Sequence, residues 1–374
     1  MKIKYQMVKV SYSTIKSFLK IFKFILFSRG LSGFNPKKIL VFRTGNFGDT
    51  ICAIPALIAI RENFPDSKIH LLTSPGHKNL VTAKDLIVEG DLVDRIIIYY
   101  IGDDKKGLFK ILRKGKYELY IELPQNLATL KVLFRNMIFA KLLGVRYGFG
   151  WHLNTLRYFE KSQAKYMIID NENVRLLKIL EVERLKVDLK SLKYRFPTSQ
   201  DIISKVKNLL SSLNGYSKIA FVPGAKREAN RWPKEYFVQV GKYLIKNDYM
   251  IVLLGGNGDR EACEMIGQQL GKGALSLAGR ISVLECAEVL KRCELTISND
   301  TGTMHLSYAV GTAVVAIFSA RDFPYKWYPP NEKGVVLRKE VDCAICFKEK
   351  CQDHKCMKLI TPEEVIEKVN LLLP

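Results

Sequence analysis

Short apolar segments alternate with helical patterns in two separate blocks of this chain, and the alternation limits the fold more than any other feature. In the first block the strand-like segments are 37–43, 67–74, 92–100 and 117–123. The second block begins at residue 218 and repeats the same pattern to residue 319. Such alternation is typical of parallel sheets covered by helices on both faces. We therefore predict an α/β protein with two doubly wound, Rossmann-like domains.

The predicted organisation has three parts: a basic amphipathic N-terminal segment at 1–36, an N-terminal domain at 37–213 and a C-terminal domain at 214–374. A chain of 374 residues is long enough for two such domains. The polar stretch SSLNGYSK at 211–218 marks the boundary between them. We expect the domains to face each other across a cleft, with ligands at the carboxyl ends of the strands.

The charge of the chain indicates an acidic partner. Lysine and arginine number 59 against 37 acidic residues, a net charge of +22. An excess of this size favours nucleic acid, anionic lipid or a phosphorylated substrate. No basic strand interleaved with aromatic residues and no recognition helix stands out, so no specific nucleic-acid partner is predicted.

The N-terminal segment carries six apolar residues at helical spacing, with lysines on another side. The apolar residues are Ile15, Phe18, Leu19, Phe22, Ile25 and Leu26, and the lysines are Lys16, Lys20 and Lys23. A basic, amphipathic helix of this kind lies in a membrane interface against anionic headgroups. The lysines interrupt the run too often for a membrane-spanning helix, and no small-residue cleavage site of a signal peptide follows. The alternative is an extra helix packed on the first domain.

The turn RTGNFGDT at 43–50 lies between an apolar strand and an apolar helix, where α/β proteins often bind phosphate. It ends on a carboxylate, Asp49. Aspartate at this position caps a helix well, and a carboxylate facing a cleft also serves as a general base. The residues alone leave both roles open.

A second strand-to-helix turn, SNDTGTMH at 298–305, combines capping residues with a glycine that lets a ligand approach the backbone. The unpaired amides and the positive end of the following helix suit a diphosphate. His305 in this turn is either a hydrogen-bonded structural histidine or part of the site.

Two further turns of the second block carry candidate residues. GGNGDRE at 255–261 lacks the G-x-G-x-x-G spacing, which disfavours a nicotinamide dinucleotide. Its Glu261 suits either the helix dipole or a ribose. PGAKREANRWP at 223–233 clusters Lys226, Arg227 and Arg231 after a buried strand, which predicts a phosphate clamp.

The cysteines fall into two groups. Four lie in segments that read as buried and indicate a reducing compartment: Cys52, Cys263, Cys286 and Cys293. The other four lie within CAICFKEKCQDHKCM and are candidate zinc ligands: Cys343, Cys346, Cys351 and Cys356. Their spacing is tighter than is usual for a structural zinc site. Disulfides are the other option, disfavoured in the cytoplasm.

Taken together, the motifs resemble those of the ADP-heptose:lipopolysaccharide heptosyltransferase family, glycosyltransferase family 9. The resemblance is carried, in matching order, by the stretch from RTGNFGDT to HLLTS and by GAKREANRWP, LLGGNGDRE, LAGRISVLE and SNDTGTMHLSYAVGTAVVAIF. It covers residues 37–373, with a looser match at 100–200. It implies the two-domain GT-B architecture and inverting sugar transfer from a nucleotide donor, with no cofactor or metal required for catalysis.

The resemblance also implies roles for individual residues. Asp49 corresponds to the family's proposed general base. The donor residues would be Asp300, Thr301 and Gly302 at the diphosphate, His305 beside them, Glu261 at the ribose and Ile281 at the adenine. Apart from the resemblance, we expect the first domain to contact the acceptor through Arg43, Asn46 and Arg61.

One position departs from the family pattern. Family members usually have lysine two residues before the tryptophan of K-x-W-P, where it meets the donor phosphate; here that position is Asn230. Lys226, Arg227 or Arg231 could supply the missing charge, and Lys226 is favoured because it is nearest the strand end.

The predicted function is therefore transfer of a sugar to a phosphorylated, lipid-linked core acceptor of the lipopolysaccharide type. If the family's usual donor holds, the sugar is heptose and the donor is ADP-heptose. We expect a cytoplasmic enzyme bound peripherally to the inner face of the bacterial plasma membrane. The alternative, suggested by Asn230, is a catalytically impaired protein that binds nucleotide sugars or assists assembly.

Overall fold

The computed structural model describes residues 2–27, 35–152, 169–330 and 334–373, with side chains from residue 13 onward. The chain divides into two compact units, Met1–Tyr194 and Arg195–Pro374. Each unit contains one parallel β-sheet with helices between most of its successive strands. The predicted α/β fold class is thereby confirmed.

The first unit consists of a helical N-terminus followed by a five-stranded sheet and its helices. Its elements in chain order are α1 (Lys2–Leu26), β1 (Lys38–Phe42), α2 (Phe47–Asn63), β2 (Lys68–Gly76), β3 (Arg95–Tyr100), α3 (Lys105–Lys114), β4 (Leu119–Glu122), α4 (Leu130–Leu142), β5 (Tyr147–Phe149) and α5 (Glu172–Val182).

The order of the strands fixes where this first sheet can bind a ligand. The order is β3-β2-β1-β4-β5, and all described pairings are parallel. The chain runs outward from β1 to β3 and then returns to place β4 on the other side of β1. Phe42 of β1 accordingly pairs with Leu72 on one side and Glu122 on the other. The order of the strands therefore reverses between β1 and β4, and ligands of doubly wound folds bind at such a switch point.

The second unit contains a six-stranded sheet. Its elements are α6 (Gln200–Leu209), β6 (Ser217–Val222), α7 (Lys234–Lys246), β7 (Tyr249–Leu253), α8 (Arg260–Leu270), β8 (Ala274–Ser276), α9 (Val283–Leu290), β9 (Leu295–Asn299), α10 (Gly302–Ala309), β10 (Ala313–Phe318), β11 (Gly334–Arg338), α11 (Lys355–Lys358) and α12 (Pro362–Leu372). The order β11-β10-β9-β6-β7-β8 places its switch point between β6 and β9.

The local sequence explains where the helices begin. Capping side chains accept hydrogen bonds from the first-turn amides at Asp104, Thr129, Asn171, Ser199, Ser282 and Thr361. The helix α2 is buried on nearly all sides, from Thr50 to Ile60, because it packs against the sheet and α5. This explains why its sequence is apolar all round rather than amphipathic.

The predicted boundary at 213 differs from the observed division after Tyr194. The helix α6, which the sequence analysis placed in the first domain, packs against α9 of the second unit. Lys205 on α6 forms an ion pair with Glu285 on α9 at 2.7 Å. The polar stretch after α6 is therefore a connection inside the second unit. The short strands β5 and β11 were not predicted from the sequence.

The N-terminal helix packs on the first unit through one of its sides. Leu19 is buried in that core, and Phe22 contacts Phe134 of α4 with ring centroids 4.9 Å apart. On the other side Phe18 and Ile25 remain 58% and 71% exposed. The alternative of a packed helix is thus confirmed for one side, and contact with a membrane stays a prediction for the other. Among the described residues, no helix has the length and apolar character required to cross a bilayer.

Candidate active site

The turn after β1 is shaped around the Asp49 side chain. Gly45 has φ +145°, and a Cβ there would come within 2.4 Å of the Asp49 Cβ, so glycine is required. Asn46 is the N-cap of α2, and its N–H donates to Oδ2 of Asp49 at 2.9 Å. Asp49 is therefore the third helical residue of a capping box, in which its side chain bonds the amide of the N-cap residue. Its side chain keeps 14% exposure, so that the carboxylate stays open to a ligand.

Arg43 connects this turn to the neighbouring strand end. Its side chain is buried, and Nη1 donates to the carbonyl oxygens of Leu123 and Pro124 at 3.3 and 3.0 Å. Nη2 lies 3.3 Å from Oδ1 of Asp49 and 3.0 Å from Oε1 of Glu172. Both terminal nitrogens of the Arg43 guanidinium are thus bonded inside the unit, and a contact of Arg43 with the acceptor stays a prediction. Arg43 positions Asp49.

Glu172 lies at the start of α5, and its carboxylate neutralises two arginines, Arg43 and Arg175. It is fully buried and accepts from Nε and Nη2 of Arg175, both at 2.7 Å, and from Nδ2 of Asn126 at 2.8 Å. Burial alone would raise the pKa of Glu172. The charges and hydrogen bonds of Arg175, Arg43 and Asn126 outweigh burial and lower the pKa to about 2. This carboxylate is therefore ionised at neutral pH.

A second buried carboxylate, Glu122, lies at the end of β4 beside the same switch point. Burial raises its pKa to about 7, although it accepts hydrogen bonds from Nδ2 of Asn136 at 2.8 Å and the Tyr120 hydroxyl at 2.9 Å. Glu122 was not among the predicted site residues. The available signal was an acid at the end of the otherwise apolar run LYIE at 119–122.

Arg61 lies at the opposite end of α2 from Asp49. Twelve residues of helix separate the two by about 18 Å along the axis. The Arg61 guanidinium donates to Oδ2 of Asp94 at 2.7 Å and to the carbonyl oxygen of Ser67 at 2.8 Å. Arg61 therefore stabilises the amino-terminal edge of the sheet, and the structure does not bring it to the candidate site. Of the three predicted acceptor residues, Arg43 and Asn46 lie beside Asp49 and Arg61 does not, and their contacts with an acceptor stay predictions.

In the second unit, Asn299 at the end of β9 attaches the loop after β6. Its Oδ1 accepts from the Trp232 N–H at 3.1 Å, and its Nδ2 donates to the carbonyl oxygen of Pro223 at 2.7 Å. The next residues continue into α10, with Thr301 as N-cap and Gly302 as first residue. The free amides of this helix start therefore lie at the switch point between β9 and β6.

Asp300 and Asn230 meet across that switch point. Nδ2 of Asn230 donates to Oδ2 of Asp300 at 2.9 Å. Burial raises the pKa of Asp300 to about 6, and the Asp322 carboxylate acts in the same direction. The cations Arg227, Arg321 and Lys326 oppose this shift. Two of them, Arg321 and Lys326, come from the loop after β10 and were not among the predicted site residues.

His305 packs beneath this turn as a buried side chain. Its Nδ1 is 2.9 Å from the Tyr308 hydroxyl, and its ring meets the Trp327 ring edge-on at 6.0 Å. The structural interpretation of His305 is thereby supported. Its contact with Trp327 joins α10 to the loop after β10.

The structure brings together the loops that carry Glu261 and Ile281. The Gly279 N–H donates to the Gly255 carbonyl oxygen at 2.9 Å, and Nη2 of Arg260 donates to the Gly279 carbonyl oxygen at 3.1 Å. Glu261 is exposed in the first turn of α8, and Ile281 is half-buried. Their nucleotide contacts stay predictions, with a geometry that allows both.

The four cysteines of the C-terminal segment are free thiols: Cys343, Cys346, Cys351 and Cys356. Within the described ranges, no group of three or more His, Cys, Asp or Glu side chains is arranged to hold a metal ion. The zinc site stays a prediction from the sequence. The other four cysteines are buried or half-buried, as expected.

Two Rossmann-like units, each with polar side chains gathered at the switch point of its sheet, define a protein of the GT-B class. Residues 106–357 match the family model described as glycosyltransferase family 9 (heptosyltransferase). Since this is more than half of the chain, the protein belongs to glycosyltransferase family 9, and it is a glycosyltransferase. The match includes the candidate donor residues, whereas Asp49 precedes it.

Known proteins resemble the chain over most of its length. Lipooligosaccharide heptosyltransferase 2 of Campylobacter jejuni is 26% identical over 348 residues, which cover 90% of this chain and 98% of that protein. The structure of Escherichia coli ADP-heptose lps heptosyltransferase II superposes with a TM-score of 0.68 at 22% identity, covering 90% and 98% of the two chains. E. coli heptosyltransferase WaaC with ADP-2-deoxy-2-fluoro heptose gives 0.60 at 18% identity, covering 90% and 100%. At these identities the two structures support the fold.

Proposed function

We propose that this enzyme transfers heptose from ADP-heptose to a phosphorylated core acceptor of the lipopolysaccharide or lipooligosaccharide type, with inversion at the anomeric carbon. Membership of family 9 and the name of the C. jejuni relative support the reaction class. The observation that carries the proposal is the Asn230–Asp300 contact at the switch point of the second sheet, beside the start of α10. This is where a doubly wound domain binds a nucleotide.

The proposed donor site uses the α10 start for the diphosphate. Amides that lack helical partners point outward from Thr301 and Gly302, and the helix dipole favours negative charge there. Asp300 would flank the diphosphate, and its raised pKa reduces the repulsion because the carboxyl is partly protonated near pH 6. Glu261 would accept from the ribose hydroxyls, and Ile281 would pack on the adenine.

The proposed chemical step uses Asp49 as general base. The acceptor hydroxyl attacks the anomeric carbon of the donor from the face opposite the diphosphate. The bond from that carbon to the phosphate oxygen breaks, ADP leaves with the electron pair, and the hydroxyl proton passes to Asp49. The ion pair with Arg43 and the hydrogen bond from the Asn46 amide keep the carboxylate in place. General-base catalysis of this type contributes about 10²- to 10⁴-fold.

We also propose that the exposed side of α1 lies on the inner, anionic face of the plasma membrane, with the enzyme in the cytoplasm. Exposed apolar residues lie on that side, and the exposed Lys16 and Lys20 lie on a different side of the helix. On α4, Ile138 and Leu142 are also exposed, four and eight residues after the Phe134 that contacts α1. They therefore extend the same apolar surface. Exposed apolar side chains on a helix that also carries exposed lysines match an interface of acyl chains and acidic headgroups.

The alternative of an impaired binding protein rests on Asn230. The structure gives this asparagine a partner, Asp300, so the substitution leaves no broken contact at the site. A protein that only bound the donor would need no residue in the role of Asp49. Transfer therefore remains the leading proposal.

The test is a donor panel followed by a transfer assay. ADP-heptose should raise the melting temperature more than UDP- or GDP-sugars do, since a ligand at 100 times its dissociation constant adds about 2.7 kcal/mol. With heptose-deficient lipid-linked core as acceptor, ADP should be released and the acceptor should gain one heptose by mass spectrometry. Stabilisation by ADP-heptose without transfer to any core acceptor would support the impaired alternative. Stabilisation by another nucleotide sugar alone would overturn the donor assignment.

A further inference from the structure

The asparagine at position 230 has both ends of its amide occupied. Nδ2 donates to Asp300, and Oδ1 accepts from the Ser319 hydroxyl at 2.6 Å. The side chain is also buried. Asn230 thus fixes Asp300 and closes the gap between the loops after β6 and β10. It contributes no positive charge to a diphosphate, so a charge at this site must come from another residue.

Two of the cations that the sequence predicted at the donor phosphate lie on the protein surface. Lys226 and Arg231 are exposed, and Nε of Arg231 donates to the carbonyl oxygen of Ala225 at 3.1 Å. Exposed charges are screened by water and salt, which weakens their pull on a buried anion. Lys226 is therefore a weaker candidate than its place in the sequence indicates.

Two arginines, Arg227 and Arg321, interact electrostatically with Asp300, but both also pair with a different carboxylate. Arg227 and Arg321 both pair with Glu349, at 3.0 and 3.3 Å. Arg321 also donates to the carbonyl oxygens of Phe347 and Lys348. These guanidinium groups hold the segment that carries the C-terminal cysteines against the loops after β6 and β10.

Lys326 differs from all of these cations. Its side chain is only 4% exposed, and Nζ lies 3.3 and 3.2 Å from Oδ1 and Oδ2 of Asp322. Charge-assisted N–H···O bonds are usually 2.7–2.9 Å long, so this pair is loose. Both contacts go to one carboxylate, and an ammonium group has three N–H donors. Lys326 therefore has a donor left for a further anion.

The surroundings of Lys326 place it at the donor site. Its ammonium is 5.0 Å from the centre of the Trp327 ring, whose edge meets His305 of α10. The Trp327 N–H donates to Asp322 at 3.2 Å, which fixes the loop. Lys326 is also among the cations that act on Asp300, at the start of α10. The diphosphate of a donor at this helix would thus meet a buried cation from the loop after β10.

We propose that Lys326 supplies the positive charge to the donor diphosphate that lysine at position 230 supplies elsewhere in the family. This inference rests on the proposed donor site at α10. The phosphate oxygen would accept the third N–H of Lys326, sharing the ammonium with Asp322. The change at 230 is then a relocation of the charge from the loop after β6 to the loop after β10, and not its loss.

Calorimetric titration of the full-length protein with ADP and with adenosine tests this relocation. Three variants change Lys326. Lys326→Met removes the charge and the donors, Lys326→Gln keeps an N–H for Asp322, and Lys326→Arg keeps the charge. Lys226→Met is the matched control. Loss of one charge-assisted hydrogen bond should weaken ADP binding about 10- to 100-fold in the Met and Gln variants. The charge-keeping variant Lys326→Arg should bind ADP within a few-fold of wild type, and adenosine affinity should not change in any variant.

A second titration asks whether the charge works at either position. Asn230→Lys added to Lys326→Gln should restore most of the ADP affinity. Equal ADP affinity in wild type and Lys326→Gln would overturn the inference, as would equal losses for ADP and adenosine. A loss confined to Lys226→Met would return the role to that residue. If wild-type protein itself binds neither ADP nor ADP-heptose, the proposed donor site fails, and the inference fails with it.

Discussion

Arg43 Nη2 lies between two carboxylates, 3.3 Å from Oδ1 of Asp49 and 3.0 Å from Oε1 of Glu172. Asp49 is partly exposed at the switch point of the first sheet, whereas Glu172 is fully buried and 129 residues away from Arg43 in sequence. The position of the proposed base thus depends on a buried ion pair formed by a distant helix. We therefore expect substitutions in that ion pair to change the free energy of unfolding first.

Replacing Glu172 with glutamine should destabilise the protein strongly. The amide cannot neutralise Arg43 and Arg175, and removal of one member of a buried ion pair typically costs about 3–5 kcal/mol. We expect a loss of this size in the free energy of unfolding, measured with urea. The control is Glu62→Gln, which breaks the exposed pair with Lys193 and should change stability by less than about 1 kcal/mol. Equal effects of the two substitutions would show that the buried pair does not hold the turn.

Glu122 should make stability depend on pH near neutrality. Its pKa is raised from 4.5 to about 7 in the folded protein, so between these values the folded state keeps a proton that the unfolded state has lost. This contribution is fully present below pH 4.5 and is lost as the pH rises through about 7. Relative to wild type, Glu122→Gln should therefore be more stable at pH 8 than at pH 5, by a difference of about 3 kcal/mol. The same difference at both pH values would contradict the buried, protonated state.

The exposed side of α1 should control binding to anionic vesicles. Deleting the helix would uncover Leu19 and Phe27 of the core, so substitution of exposed residues is the better test. Phe18→Ser, Ile21→Ser and Ile25→Ser together should weaken sedimentation with vesicles containing acidic lipid at least about 10-fold, since each apolar side chain contributes roughly 1.5–3 kcal/mol when buried. The equally exposed Leu371→Ser in α12 is the control. Unchanged binding of the triple variant would remove α1 as the anchor.

The fold class followed from the sequence because strand and helix patterns are local. The strand order did not, since it depends on which distant strands pair, and it is this order that places Asp49 and Asp300 at switch points. The helix α6 shows the same limit. Its sequence has a clear helical pattern, but only the contact with α9 shows to which unit it belongs.

The site could be predicted only in part, for a related reason. Asp49, Asp300 and the glycines stood out because they form turns at strand ends. Arg43 stood out as well, but its contact with Glu172 was not predicted, because Glu172 lies in a region of weak pattern. Lys326 follows β10 in an irregular loop, and no sequence pattern distinguishes a buried lysine from an exposed one.

The most direct test of the proposed mechanism measures two properties of Asp49→Asn, its rate of heptose transfer and its affinity for ADP. Asparagine can still accept the Asn46 N–H and cap α2, so folding and the dissociation constant for ADP should remain within about twofold of wild type, while the rate of heptose transfer falls about 10²- to 10⁴-fold. Asp85→Asn, which changes a similar capping aspartate bonded to the Thr82 amide, should leave the rate unchanged. A transfer rate near that of wild type in Asp49→Asn would contradict the assignment of Asp49 as the base.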